Sequence, residues 1–504
     1  MKLVPHTTLV LVIPPQLGLL KGFSSGLISL ANYVETHSSG VEVAIIDLSA
    51  TPDEFLKETI RAELRKTKPT QRLIVGITAT TASYQGALAA ARAFKNIVPS
   101  AVVVFGGHHA SADPENILYK HEGLVDFVIV GEGEKSLVEL INKLSQAFSV
   151  PGLAFLHNGL FHRNAPAPFL TQTELDNLPI TFHGNGLLDA PGKFDHVTYV
   201  SARGCPLACA FCSVANEKIR AKSVARVLKE IRELVEFGFT RIAIEDNFFA
   251  HSPGRTRELC GALAALRREG LAFSWDCQTR VESMARPEVL PIMVDAGCEA
   301  VYLGVESLVP EHLLYLGKTP QPEKYLHQFF NVVVPKLLCS PIDCHVNLQF
   351  ALPGENDRHY ERTAHALRMI GSMAISRGKT VTIFPQLFVV YPGTKHFSQG
   401  ILGGRFSKDV FETFTAWESS QAPILTWLGE HFAHGTGGLP EGLVDAEKLR
   451  QGVYEVNVNA VFRVSATLKA LDRIPGIKMF QYGSYLVEKR SRHNETKTSR
   501  AVSA

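Results

Sequence analysis

The chain has 504 residues, 45% of them hydrophobic and 20% charged, with a net charge of +2. That length holds roughly three domains, the composition is that of a globular protein rather than a disordered or fibrous one, and the near-neutral balance calls for neither nucleic acid nor an anionic membrane as a partner. No apolar run is long enough to span a bilayer, and eight cysteines without secretory features point to a reducing, cytoplasmic setting.

In chain order, residues 8–13 form an apolar run stopped by Pro14-Pro15, with no small-residue cleavage site behind it. The run reads as a first buried strand rather than a signal peptide. A helical stretch at 26–35 follows, then strands at 41–48, 73–78, 101–105 and 127–130, separated by helical stretches at 53–66 and 84–97, with a last helix to about residue 147. Near-continuous apolar strands alternating with helices predict a parallel sheet covered on both faces. Five such units predict a doubly wound, flavodoxin-like domain over 1–147, with ligands at the carboxyl ends of its strands. Residues 148–196 carry prolines, glycines and asparagines with little periodicity and read as a linker. A second strand–helix series occupies 197–399, with strands at 196–200, 241–245, 272–277, 300–305, 344–350 and 380–388 and helices at 222–237, 254–269, 286–296, 322–337 and 356–376. Six β/α units there predict a partial or complete barrel. Residues 400–488 show helical pieces around 444–472 and aromatics such as Trp417, Trp427, Phe432 and Tyr482, and residues 489–504 read as a disordered tail.

Three of the cysteines, Cys205, Cys209 and Cys212, lie at C-x3-C-x2-C spacing just after the first strand of the second series. In a β/α barrel that is the catalytic end. The residues alone allow three readings: a buried structural trio, a zinc site completed by a histidine such as His196 or His251, or an iron–sulfur cluster with one iron left open for a ligand. Cys260, Cys277, Cys298, Cys339 and Cys344 show no ligand spacing and read as core residues.

The stretch GCPLACAFC (204–212) resembles the cysteine motif of radical S-adenosylmethionine (AdoMet) enzymes. The resemblance implies that the three thiolates hold a 4Fe-4S cluster, that AdoMet chelates the open iron, and that the reduced cluster cleaves AdoMet to a 5′-deoxyadenosyl radical that takes hydrogen from an unactivated carbon. Phe211 would lie beside the adenine. IEDNFF (244–249), GVES (304–307), NLQFALPGE (347–355) and VVYPGT (389–394) resemble later strand-end motifs of the same barrel and add Glu245, Asp246, Glu306, Gln349 and Tyr391 as expected AdoMet contacts.

The N-terminal domain resembles the cobalamin-binding domain often fused ahead of such barrels, through VIPPQLGLL (12–20), VGITATTASY (75–84), FGGHHASADPE (105–115) and VIVGEGE (128–134). Thr78, Thr80, Thr81, Ser83, Gly106, Gly107, Gly131 and Glu132 are the expected cobalamin contacts, while His108 and His109 read as loop residues. No D-x-H-x-x-G follows the first strand, so the resemblance implies base-off cobalamin without a histidine ligand. The fold it implies is α/β throughout: a flavodoxin-like (Rossmann-like) cobalamin-binding domain, a partial (β/α)6 radical SAM barrel and a mainly helical C-terminal region that contributes to substrate binding. The activity it implies is methylation of an unactivated carbon of a small-molecule or natural-product substrate through methylcobalamin and the deoxyadenosyl radical, with an external flavodoxin- or ferredoxin-type electron donor. A non-methylating cyclase, rearrangement enzyme or oxidoreductase of the same architecture is the alternative.

Overall fold

The structure is a computed structural model that describes residues 7–15, 25–67, 71–179, 197–406, 439, 441–451 and 457–481. These fall into two compact units, one before and one after residue 190.

In the first unit, strands β1 (Thr7–Ile13), β2 (Val41–Asp47), β3 (Arg72–Thr78), β4 (Val102–Gly106) and β5 (Phe127–Ile129) are joined by β6 (Leu153–His157) and β7 (Leu160–Arg163). The sheet runs β2-β1-β3-β4-β5-β6-β7, with β1 to β5 parallel. The order reverses between β1 and β3, the switch point at which such sheets open a crevice beyond their carboxyl ends. Alternate residues of β1 serve two cores: Val10 and Val12 pack with the Tyr84–Ile97 helix on one face, Leu9 and Leu11 with the Ser25–His37 helix on the other. That is why the strand reads as one apolar run.

The expected linker at 148–196 needs correction. Its residues 153–163 form the β6–β7 hairpin, which extends the first sheet antiparallel from β5. Asn158 and Gly159 both take positive φ, 52° and 72°, as a two-residue hairpin turn of the primed type requires. The hairpin covers the β5 edge and buries Leu153, Ala154 and Phe155, so residues 153–163 belong to the first sheet.

The second unit holds β8 (Val197–Tyr199), a two-stranded ladder of β9 (Ala202–Arg203) and β10 (Arg220–Ala221), then β11 (Arg241–Ile244), β12 (Ser274–Thr279), β13 (Cys298–Glu306), β14 (Asp343–Phe350), β15 (Val381–Leu387) and β16 (Ile477–Met479). The main sheet is parallel throughout and ordered β16-β15-β14-β13-β12-β11-β8. Two of the helices between the strands start on side-chain caps, Ser223 for Val224–Glu236 and Asn356 for Asp357–Ile375. The expected helix at 322–337 contains a π-helical turn, Phe329–Val333, next to Pro335, whose ring removes one ladder donor.

Beyond residue 402 the described residues are mainly helical, with helices at Glu441–Leu443, Ala446–Arg450 and Val458–Leu471, and they add β16, a seventh strand paired with β15 in the register Val381↔Ile477. Two glycines allow the approach: a Cβ at Gly371 would meet the Pro475 carbonyl oxygen at 2.2 Å, and one at Gly476 would meet the Gly371 oxygen at 2.3 Å. Trp417, Trp427, Phe432, Tyr482, the tail at 489–504 and His196 lie outside the described residues.

Candidate active site

The cysteine loop leaves the carboxyl end of β8 and is tied at both ends. At its start, Asp246 at the end of β11 accepts the backbone N–H of Ser201 at 2.6 Å and of Ala202 at 2.8 Å, and the Ser201 hydroxyl at 2.5 Å. At its base, β9 pairs with β10. Gly204, at φ 85°, lets the chain pass where a Cβ would sit 2.5 Å from the Lys218 carbonyl oxygen. Within the loop, Glu217 N–H donates to Cys205 O at 2.8 Å and Asn216 N–H to Leu207 O at 2.9 Å. Outside it, Ala210 donates to Leu316 O at 2.9 Å and accepts from His396 N–H at 3.0 Å.

This scaffold buries Cys205 and Cys209 and half-buries Cys212, all three as free thiols. Burial raises the Cys205 pKa and pushes Cys212 up to about 11. Arg280, directly after β12, brings Nη1 to 3.6 Å from Cys209 Sγ. Three sulfurs on one short loop, with a guanidinium donating to one of them, suit an anionic iron–sulfur cluster. Among the described residues no group of three His, Cys, Asp or Glu side chains, the cysteine triplet included, is placed to hold a single ion, and His251, the described histidine that could complete a zinc site, has Nδ1 3.2 Å from the Phe248 carbonyl oxygen.

Beside the thiols, β13 and β14 slip register between Gly304 and Glu306. Glu306 takes φ 72° there, a conformation costly for a side chain with a Cβ. The bulge turns its carboxylate toward Lys318 Nζ at 3.0 Å and Gln349 Nε2 at 2.9 Å, all three side chains buried. Gly304 leaves the room: a Cβ there would meet Glu306 Oε1 at 2.8 Å. Phe211 is half-buried against the apolar cluster of Leu316, Phe388, Phe397 and Phe406. Tyr391 is half-buried, its carbonyl accepts from the Thr394 hydroxyl at 2.7 Å, and burial raises its phenol.

Two of the expected contacts part company. Glu306 and Gln349 meet directly, whereas Asp246 spends both carboxylate oxygens on the loop backbone and on Ser201. Glu245 is exposed at the end of β11, with its carboxyl raised by the surrounding protein. Arg280 and Lys318 were missed by the sequence reading. The available signals were a basic residue directly behind a strand, in QTR (278–280), and another behind a glycine, in LGKT (316–319).

In the first unit, the expected cobalamin residues all lie at the carboxyl ends of β3, β4 and β5. The Thr80 and Ser83 hydroxyls pair with each other at 2.9 Å, and Ser83 Oγ also accepts Thr80 N–H at 3.0 Å, so this pair shapes the turn into the Tyr84–Ile97 helix. Gly107, at φ 96°, packs where a Cβ would meet the Ala79 oxygen at 2.8 Å, while a Cβ at Gly106 or Gly131 would meet nothing within 4 Å. Gly106 and Gly131 therefore leave open space over the backbone at the ends of β4 and β5, as close approach of a bulky cofactor needs, with the Ser111 hydroxyl accepting Gly131 N–H at 3.0 Å beside it. Thr78 and Thr81 are half-buried there, and so is Glu132 beyond β5. His109 is buried, its Nδ1 3.1 Å from Thr81 Oγ1 and its ring tilted 34° against that of Tyr84 with centroids 4.3 Å apart, and its pKa is lowered by burial to about 4. His108 is exposed.

Residues 20–141 match the model of the B12 binding domain, and residues 199–367 match that of the radical SAM superfamily. An uncharacterized methyltransferase of Pyrococcus horikoshii is 32% identical over 62% of this chain and 69% of its own length. The hopanoid C-3 methylase of Methylococcus capsulatus is 28% identical over half of each chain, so this chain spans only about half of that relative. Among solved structures, the radical S-adenosylmethionine methyltransferase TsrM from Kitasatospora setae, determined with cobalamin and a 4Fe-4S cluster bound, superimposes with a TM-score of 0.66 over 98% of this chain and 99% of that one, at 16% identity. At that identity the likeness speaks to the fold.

Proposed function

This chain belongs to the radical SAM enzymes that carry a B12-binding domain, and from that premise we propose that it methylates an unactivated carbon of a small-molecule substrate. The observation that carries the reading is the conjunction, in one chain, of a thiol triplet backed by Arg280 and strand ends where Gly106 and Gly131 leave the backbone open. When bound, the cluster with AdoMet supplies a 5′-deoxyadenosyl radical and the cobalamin supplies the methyl group. Cys205, Cys209 and Cys212 hold the cluster. Glu306, fixed by Lys318 and Gln349, presents acceptor lone pairs to an ammonium or a ribose hydroxyl. Phe211 and Tyr391 offer aromatic faces to adenine. Gly106, Gly107 and Gly131 let the backbone approach the corrinoid, with Thr78, Thr81 and Glu132 as polar contacts. The stretch between β1 and Ser25 contains no histidine, which supports base-off binding without a histidine on cobalt. Electrons come from an external flavodoxin- or ferredoxin-type donor.

The test is anaerobic. Full-length protein reconstituted with iron, sulfide and hydroxocobalamin is given dithionite and AdoMet, and S-adenosylhomocysteine and 5′-deoxyadenosine are measured. In parallel, cells expressing the chain are fed methyl-labelled methionine and searched for a product carrying one labelled methyl. Both nucleosides together with a labelled product are expected. Deoxyadenosine without any methylated product favours the non-methylating alternative, and absence of AdoMet cleavage from an iron-loaded protein overturns the proposal.

A further inference from the structure

Arg280 occupies a position that cluster ligation alone does not explain. Its Nη1 donates to Cys209 Sγ at 3.6 Å, and its Nη2 donates to the Lys318 carbonyl oxygen at 2.7 Å. On the other side, Nε and Nη2 reach the two carboxylate oxygens of Glu282 at 3.2 and 3.0 Å. The guanidinium is thus wedged between a sulfur in the interior and a carboxylate at the surface: the Arg280 side chain is 10% exposed and that of Glu282 is 41% exposed. The neighbouring cation, Lys318, stands differently, with its ammonium turned to the buried Glu306 carboxylate.

We propose that Arg280 tunes the reduction potential of the cluster held by Cys205, Cys209 and Cys212, and that Glu282 sets how much of its charge the cluster feels. The inference rests on the cluster assignment made above. Reduction brings in one electron from an external low-potential donor, which is oxidised in turn. No bond forms or breaks in that step, and the site becomes more negative by one charge. A cation held out of water at a ligating sulfur stabilises the more negative level, because Coulomb attraction is weakly screened there and hydrogen bonds to sulfur withdraw charge from it. Arg280 therefore raises the potential. Glu282 opposes it from the surface, with a smaller effect of opposite sign because its side chain is partly solvated.

Arg280 also ties the cysteine loop to the loop carrying Lys318, so loss of iron from an Arg280 variant would by itself fit a structural role. The opposite signs expected at Arg280 and Glu282 separate the two. Full-length wild-type protein, Arg280→Gln, Arg280→Lys and Glu282→Gln are reconstituted anaerobically. Iron and sulfide are quantified, and the reduced cluster is titrated by electron paramagnetic resonance without AdoMet, with dithionite as reductant. For Arg280→Gln the ratio of reduced to oxidised cluster at a fixed poise should fall about tenfold, a midpoint lower by about 59 mV. Arg280→Lys, which keeps the charge, should stay closer to wild type than Arg280→Gln does. Glu282→Gln should move the ratio up by about threefold, as expected for removing a partly solvated counter-charge. Iron-free wild-type protein overturns the cluster assignment itself. Iron-loaded variants with unchanged midpoints, or Glu282→Gln moving downward together with Arg280→Gln, overturn the tuning role. Should Arg280→Gln fail to retain iron, the Glu282→Gln shift decides alone: upward supports the inference, unchanged or downward overturns it.

Discussion

Lys318 Nζ lies 3.0 Å from Glu306 Oε1, and the two buried side chains form an ion pair beside the cysteine loop. Removing one partner of such a pair leaves the other charge uncompensated, which typically costs about 3–5 kcal/mol, whereas replacing both is often nearly neutral. Glu306→Gln should therefore lower stability in urea unfolding by about that amount and weaken AdoMet binding to the iron-loaded protein. Adding Lys318→Met should restore stability while AdoMet affinity stays low. Recovery of affinity in the double variant would show that Glu306 serves folding and not the cofactor.

Asp246 predicts a loss of stability without a loss of AdoMet affinity. Its carboxylate accepts Ser201 N–H, Ser201 O–H and Ala202 N–H at the start of the cysteine loop, and hydrogen bonds to a charged group contribute about 1.5–3 kcal/mol each. Asp246→Asn should cut stability by at least one such bond, with AdoMet affinity of the folded, iron-loaded fraction within about twofold of wild type. Unchanged stability with weakened AdoMet binding would return Asp246 to the cofactor.

What the sequence made legible follows from how local each signal is. The first strand could be read because both its faces are buried, so it appears as an unbroken apolar run, TLVLVI (8–13). The thiol triplet could be read because its spacing lies on one loop. The β6–β7 hairpin was legible in principle through Asn158-Gly159 and was obscured by the surrounding prolines. β16 is a three-residue strand whose place depends on Gly371, roughly a hundred residues earlier, and pairing at that range leaves no local periodicity to read. The different surroundings of Asp246 and Glu306 were illegible for a related reason. Both are acids at strand ends, and only the register slip at Gly304–Glu306 and the path of Ser201–Ala202 tell them apart.

His109 makes the first unit sensitive to acid. Burial lowers its pKa to about 4, against the ordinary 6.5 that it regains on unfolding. Between those values the unfolded chain binds more protons, so stability rises with pH across the window. It is intact above about pH 6.5 and is lost as pH falls toward 4, by up to about 3 kcal/mol for this group. Urea unfolding of the full chain at pH 7.0 and 5.0, compared with His109→Gln, reads the difference. The variant should lose less stability on acidification, and equal losses would show that His109 gains its proton without unfolding.

Loading of the cysteine loop should be steeply pH-dependent. Burial pushes the Cys212 thiol up to about 11 and raises Cys205 as well, so the metal-free loop carries protonated thiols at neutral pH, while iron takes thiolates. Each thiol proton displaced makes apparent affinity rise about tenfold per pH unit below the thiol pKa. Iron retention against a chelator whose own protonation is corrected for should climb between pH 7 and 8.5, with measurable proton release on reconstitution. Cys205→Ala, Cys209→Ala and Cys212→Ala should each abolish AdoMet cleavage, since a cluster left with two protein ligands is labile. Cys260→Ala, in the core away from the loop, should leave cleavage near wild type. Turnover surviving loss of any one loop cysteine would remove the thiol triplet from the chemistry, and pH-independent iron retention would mean that the thiols are already ionised without metal.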